Sequence, residues 1–312
     1  MPSSHLKAQL QGATLVLLSG VTLSTKAILA KLAYRHGVDA LTMLSLRMFF
    51  AVPLLLLSVY FAEKSAATRL TRKDLLQIAL LGVTGYYISA MLDFLGLMYI
   101  SAALERLVLF LYPTFVMLIS AVLFRTRLRR THMVALLITY LGMAVVFHQE
   151  RALSGSDTQK GALLVLGCSV GYAAYLVGAG RLIPRVGAQR FNAYSLLSAT
   201  TAILLHWTLR GSPLHGLPLP VYGYGFLMAT VGTVIPTILL AKGIARIGAG
   251  PAAILTSIGP VSTVLLASTL LDEPITTGQT LGGVLVLFGV TLVTTTPAQS
   301  QGPPQVRNKS SL

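Results

Sequence analysis

The chain has 312 residues, 54% of them hydrophobic and only 11% charged, with a mean hydropathy of +0.75. A soluble protein carries about 25% charged residues, so the body of this chain is not built for water. Its net charge of +15 comes from basic residues in short stretches between apolar runs. That pattern fits membrane topology and anionic lipid on the cytoplasmic side, and it offers no basic groove for nucleic acid.

Apolar runs of about 20 residues match a hydrocarbon core ~30 Å thick. Ten such spans are predicted, over Gln9–Tyr34, Leu41–Ala62, Leu75–Tyr99, Ala102–Phe124, His132–His148, Gly161–Leu182, Phe191–Leu209, Val221–Ala241, Ala249–Leu271 and Gly278–Thr296. Backbone groups cannot go unpaired in lipid, so these runs are expected to be helices. The first run is too long for a signal peptide and flows into the second. The polar, low-complexity residues 297–312 are expected to be a disordered cytoplasmic tail. Of the 24 Lys and Arg, sixteen fall on one side of this arrangement and four (Arg35, Arg151, Lys160, Arg210) on the other. Both termini are therefore expected in the cytoplasm, in a multi-pass protein of the cell inner membrane.

A shift of 147 places matches Gly85 with Gly232, Gly96 with Gly243, Ile100 with Ile247, Ala102 with Ala249, Pro113 with Pro260 and Gly142 with Gly289. GATLV from Gly12 also echoes GALLV from Gly161. The expected organisation is an all-α membrane protein with a first five-helix unit over 1–150 and a second over 151–296. An odd number of spans per unit inverts the second unit, a recurring plan of secondary transporters.

Three stretches carry a resemblance: LSLRMFFAVPLLL (Leu44–Leu56), LGLMYISAALERLVLFLYPTFVMLISAVLF (Leu95–Phe124) and GIARIGAGPAAILTSIGPVSTVLLASTLLDEPIT (Gly243–Thr276). With them the chain resembles the EamA-type family of the drug/metabolite transporter superfamily. Asp272-Glu273-Pro274 matches the acidic ending of such units, whereas Arg125-Thr126-Arg127 departs from it in the first unit. The resemblance implies a carrier of small metabolites, often an exporter of amino acids or related compounds.

Besides Lys31, read as an interfacial anchor, and Arg181 at the end of its span, five charged residues lie inside spans. At 1.5 Å per residue, Lys26, Arg47, Asp93, Glu105 and Arg106 all converge on the outer half of the membrane. The shift sets Leu240, Ala252 and Ala253 opposite Asp93, Glu105 and Arg106, so the charge belongs to one unit. Intramembrane charges commonly mark a substrate or ion path. One reading makes them a translocation cavity, with Glu105 or Asp93 exchanging a proton or binding a cationic group and Arg47, Arg106 and Lys26 holding a carboxylate. The other makes them ion pairs joining helices, with Glu105 and Arg106 snorkelling to the surface. Tyr112 could line the path for apolar parts of a substrate. Pro113 and Pro260, read as mid-helix, are candidate hinges. Gly167-x-x-x-Gly171 suits close helix packing, within a monomer or in a homodimer. His148 and His206 have no companion at metal-ligand spacing, and no phosphate loop or nucleophile–base pair is present; no metal, cofactor or enzymatic activity is expected. The expected function is a secondary transporter of small metabolites, exporting amino-acid-like or other small organic compounds, with protons as a candidate coupling ion. The alternatives are uptake or exchange of an organic anion, or a membrane sensor or assembly component that transports nothing.

Overall fold

A computed structural model describes residues 2–64, 69–124, 130–211, 214–248, 251–252 and 255–295. Residues 297–312 and Arg125–Arg127 lie outside them. Among the described residues the regular structure is entirely helical. The chain runs through α1 (Pro2–Tyr34), α2 (Ala40–Lys64) and α3 (Arg72–Gly82), which continues through a π-helical segment, Val83–Ile88, into α4 (Ser89–Gly96). Next come α5 (Ala102–Leu109), α6 (Tyr112–Phe124), α7 (Arg130–Ser154), α8 (Asp157–Val186) and α9 (Ala188–Arg210). Then α10 (Leu219–Ala229) passes through a second π-helical segment, Thr230–Val234, into α11 (Ile235–Ile247), followed by α12 (Ile258–Leu270) and α13 (Thr277–Thr295).

Helix occupies each of the ten predicted stretches. Among the described residues eight helical stretches are long and apolar enough to cross a membrane, and Ile258–Leu270 is apolar but shorter. The seventh predicted span is α9, which has 23 residues but includes Gln189, Asn192 and His206 and falls outside those eight. Span eight continues to Ile247 rather than Ala241, because Lys242 and Arg246 extend the helix and Arg246 donates back to the Lys242 carbonyl at 3.0 Å. Helix α7 persists to Ser154 before the turn at Gly155.

Local signals set the helix starts. Thr71 caps α3 in a reciprocal capping box with Asp74, and the Ser101 hydroxyl accepts from Leu104 N at the start of α5, each satisfying donors that a first turn leaves open. Gly187, at φ +85°, lets α8 turn into α9 through a single residue where a side chain would be strained.

Contacts between turns define the two ends of the bundle. At the end away from the N-terminus, Arg35 donates to the Leu271 carbonyl at 2.6 Å, Arg210 pairs with Asp39 at 3.4 Å, and Glu273 accepts from Ala102 N at 3.1 Å. At the N-terminal end Arg190 grips Glu63 at 2.9 and 3.0 Å, and Arg185 pairs with Asp74.

In lipid, helices associate through close packing rather than hydrophobic drive, and here small residues give matching contacts in both repeats. A Cβ on Gly12 would lie 2.6 Å from Ile247 Cγ2, and one on Gly161 2.6 Å from Ile100 Cγ2. Ile100 and Ile247 correspond by the 147-residue shift, yet the first contact sits at the N-terminal end and the second at the opposite end. The second repeat is therefore inverted. The helices α7 and α13 cross on the same symmetry: a Cβ on Gly142 would meet the Gly282 carbonyl at 2.7 Å, and one on Gly289 the Ala135 carbonyl at 2.8 Å. Both π-helical segments obey the shift too, starting at Val83 and Thr230.

Candidate functional site

Three helices bring three charges together in the interior. Lys26 of α1 places Nζ 2.5 Å from Asp93 Oδ2 of α4 and 3.7 Å from Glu105 Oε1 of α5. The side chains are 12%, 3% and 0% exposed respectively. The Ser101 cap holds Glu105 in the first turn of α5. On the other side Gly232 of the second π-helical segment lets the chain approach Lys26, for a Cβ there would lie 3.7 Å from Lys26 Cα.

The hydrogen bonding is incomplete. Asp93 Oδ1 and both Glu105 oxygens are buried with no hydrogen-bond partner among the described residues. A buried carboxylate that lacks hydrogen-bond donors is costly when charged, because several kcal/mol of hydration per ion are lost. Such a site is able to hold and release a proton.

The two arginines flank this triad without forming an ion pair with it among the described residues. Arg47 of α2 donates through Nε to Thr233 Oγ1 at 3.1 Å and has Asp93 and Tyr86 as electrostatic neighbours. Arg106 turns toward α12, where a Cβ on Gly259 would lie 3.0 Å from its NH2; its Nε is buried without a partner among the described residues. No ion pair joins Glu105 to Arg106 among the described residues.

Tyr112 opens an aromatic wall. Its ring meets Tyr172 of α8 edge-on at 5.3 Å, Tyr172 stacks on Tyr175 at 5.9 Å, and Tyr86 of the first π-helical segment lies 4.8 Å from Tyr175. Tyr87, beside Tyr86, shares a hydrogen bond of 2.8 Å with His206 Nδ1. Gly167 and Gly171 are used within the chain, against Leu92 and Ser89.

Each proline sits just after a break in its span. The fourth span, Ala102–Phe124, is interrupted at Phe110 and Leu111, and Pro113 is the second residue of α6; Pro260 is the third residue of α12, after a turn at Thr256 and Ser257. Pro113 has no N–H for the carbonyl four residues back, that of Leu109, which Ser169 Oγ reaches at 3.4 Å. The break itself carries the discontinuity, and Ser169 of α8 donates to the Val108 carbonyl at 3.0 Å. The Gly259 carbonyl similarly accepts from Ser24 at 2.8 Å.

Thr233, Tyr172 and Ser169 were not among the residues predicted for the site. Only Thr233 had a legible signal, since it follows Gly232, one of the glycines repeated at the 147-residue shift.

The EamA-like transporter family matches this chain twice, over residues 10–148 and 159–295. The chain is 31% identical over 299 residues to "Uncharacterized transporter YcbK" of Bacillus subtilis, covering 92% of this chain and 94% of the relative. It is 25% identical over 259 residues to "Uncharacterized inner membrane transporter YicL" of Salmonella typhimurium, covering 83% and 86%. A solved crystal structure, described only as that of a protein, shares the fold at a TM-score of 0.58 and 21% identity, over 92% of this chain and 96% of the other.

Proposed function

Because the chain belongs to the EamA-like transporter family and is a multi-pass membrane transporter, we propose that it is a proton-coupled secondary carrier that exports amino-acid-like metabolites. The observation that carries this reading is Glu105, fully buried 3.7 Å from Lys26 with both oxygens lacking hydrogen-bond partners among the described residues. One ammonium cannot satisfy two charged carboxylates in a dry site, so Asp93 keeps Lys26 while Glu105 carries a proton. When the site opens to water, Glu105 loses that proton and becomes an acceptor for a substrate ammonium. Arg47 and Arg106 suit the substrate carboxylate, and the wall of Tyr112, Tyr172 and Tyr86 suits its side chain. In the proposed orientation both termini are cytoplasmic and the membrane is the cell inner membrane, in keeping with the basic residues at the N-terminal end.

The test is flux through the purified protein in liposomes under an imposed pH gradient. Wild type should accelerate amino-acid efflux when protons flow inward, and Glu105→Gln should transport at a rate indifferent to the gradient. A Glu105→Gln protein that keeps the wild-type pH dependence removes Glu105 from coupling. A second reading, exchange of an organic anion, is favoured by the three basic side chains gathered around a single charged carboxylate. It predicts that a dicarboxylate competes with the amino acid at equal or lower concentration.

A further inference from the structure

A hollow of about 700 Å³ lies between α2, α9 and α10, away from the charge cluster, with Leu46, Phe49, Phe50, Trp207, His215 and Tyr222 on its walls. At 1.5 Å per residue, Trp207 and Tyr222 lie about 5 Å from the ends of their helices, whereas Phe49 and Phe50 lie about 14 Å inside α2. The hollow thus runs from the interface facing away from the N-terminus to near the middle of a ~30 Å hydrocarbon core, the depth of one leaflet.

Its chemistry changes with depth. The deep part is apolar and opens outward, for its lining residue Phe49 is 58% exposed. The shallow part gathers polar groups. Trp207 Nε1 is buried with no acceptor among the described residues. Exposed His215 stands on the rim. Arg210 does not line the hollow itself but stands next to the lining residue Gly211, touching Asp39 through one nitrogen at 3.4 Å with its side chain 52% exposed. An apolar trough below, an indole N–H at its neck and a cation at its lip complement an acyl chain, an ester carbonyl and a phosphate, in that order. A transport substrate rich in charge finds no acidic partner on these walls, and a helix ~10 Å across is too thick to enter.

We propose that this hollow binds one phospholipid of the leaflet opposite the N-terminus, with an acyl chain along Leu46, Phe49 and Phe50, its ester carbonyl at Trp207 Nε1 and its phosphate at Arg210. Lipid bound there braces α2 against α9 and α10, the helices that flank Arg47 and Thr233.

Trp207 is the chain's one tryptophan, so its fluorescence reports on this hollow alone. The full-length protein in detergent is titrated with phosphatidylglycerol brominated at mid-chain. Quenching should saturate at one lipid per protein, reverse with the unbrominated lipid, and coincide with one retained lipid in native mass spectrometry. Arg210→Gln should raise the midpoint about tenfold. Quenching that grows linearly without saturation, equal quenching by a brominated detergent, or an unchanged midpoint in Arg210→Gln would each overturn the proposal. So would a hollow closed by a second copy of the chain, seen as dimer cross-links through Phe49 without lipid quenching.

Discussion

Replacing Lys26 by Met isolates the energetics of the charge cluster. Methionine keeps the length and apolar volume of lysine while removing the ammonium 2.5 Å from Asp93. Asp93 is 2% exposed, with Oδ1 already unpartnered among the described residues. Stranding one member of a buried pair costs ~3–5 kcal/mol. The aspartate can escape by taking a proton, which limits the loss. With an ordinary aspartate value of about 3.9 and about 1.4 kcal/mol per pH unit, that limit is about 4 kcal/mol at pH 7 and about 1.5 kcal/mol at pH 5. The stability gap between wild type and Lys26→Met should therefore be wide at neutral pH and narrow steadily on acidification. Unfolding of the detergent-solubilised proteins across pH 5–8 measures it. Lys26→Met combined with Asp93→Leu should recover most of the loss, because no charge is then stranded. A gap that ignores pH, or a double variant no more stable than the single one, refutes the reasoning.

Three further outcomes follow from the coordinates. Gly289→Ala places a Cβ 2.1 Å from Thr139 Oγ1 and 2.8 Å from the Ala135 carbonyl, so overpacking should cost ~1–3 kcal/mol; Gly180→Ala, which meets nothing within 4 Å, should cost far less in the same unfolding assay. Glu273 lies in the turn after α12, where burial holds its carboxyl above the usual range against the pull of Ala102 N–H. A raised carboxyl stabilises the fold in its protonated form, so the contribution is complete below about 4.5 and fades as pH climbs through the raised value. Glu273→Gln keeps an acceptor for Ala102 N and should abolish that decline, and an unchanged melting profile between pH 4 and 8 would count against it. Arg47→Ala should weaken anionic substrates ten- to a hundredfold relative to neutral ones, the equivalent of one charge-assisted hydrogen bond of ~1.5–3 kcal/mol; equal losses in competition assays would return Arg47 to a structural role with Thr233.

The spans were legible because lipid leaves an apolar run of that length no choice but helix. The repeat was legible because glycines at helix crossings tolerate no substitute, as the contacts of Gly12, Gly161, Gly142 and Gly289 show. The breaks were legible in part: Pro113 and Pro260 mark them, but the partner that makes the first one tolerable, Ser169 on the Val108 carbonyl, is a tertiary contact. The alternative in which Glu105 and Arg106 snorkel to the surface does not match the burial of Glu105, whose side chain is 0% exposed. Neighbours on a helix point about 100° apart and do not face each other, so Glu105 turns to Lys26 of α1 while Arg106 turns to Gly259 of the second repeat. The pairing of Arg47 with Thr233 was beyond sequence reasoning for the same cause: it depends on how two repeats close on one another, 186 positions apart.

The disagreement between backbone and charge is what gives the cluster its leverage. The backbone repeats itself at a shift of 147, in its π-helical segments and in its glycine contacts. An inverted pair of like units can exchange conformations at little cost, since each state is approximately the other turned over. Asp93, Glu105 and Arg106 break that equivalence, for their counterparts Leu240, Ala252 and Ala253 carry no charge. Under the proposed coupling, a proton on Glu105 would change the energy of one state and would have no matching group through which to change the other. A difference of about 1.4 kcal/mol shifts a ratio of states tenfold, a small part of what a buried carboxylate commands. In that proposal symmetry keeps the two states close in energy, and one titrating side chain outside the symmetry would be enough to choose between them.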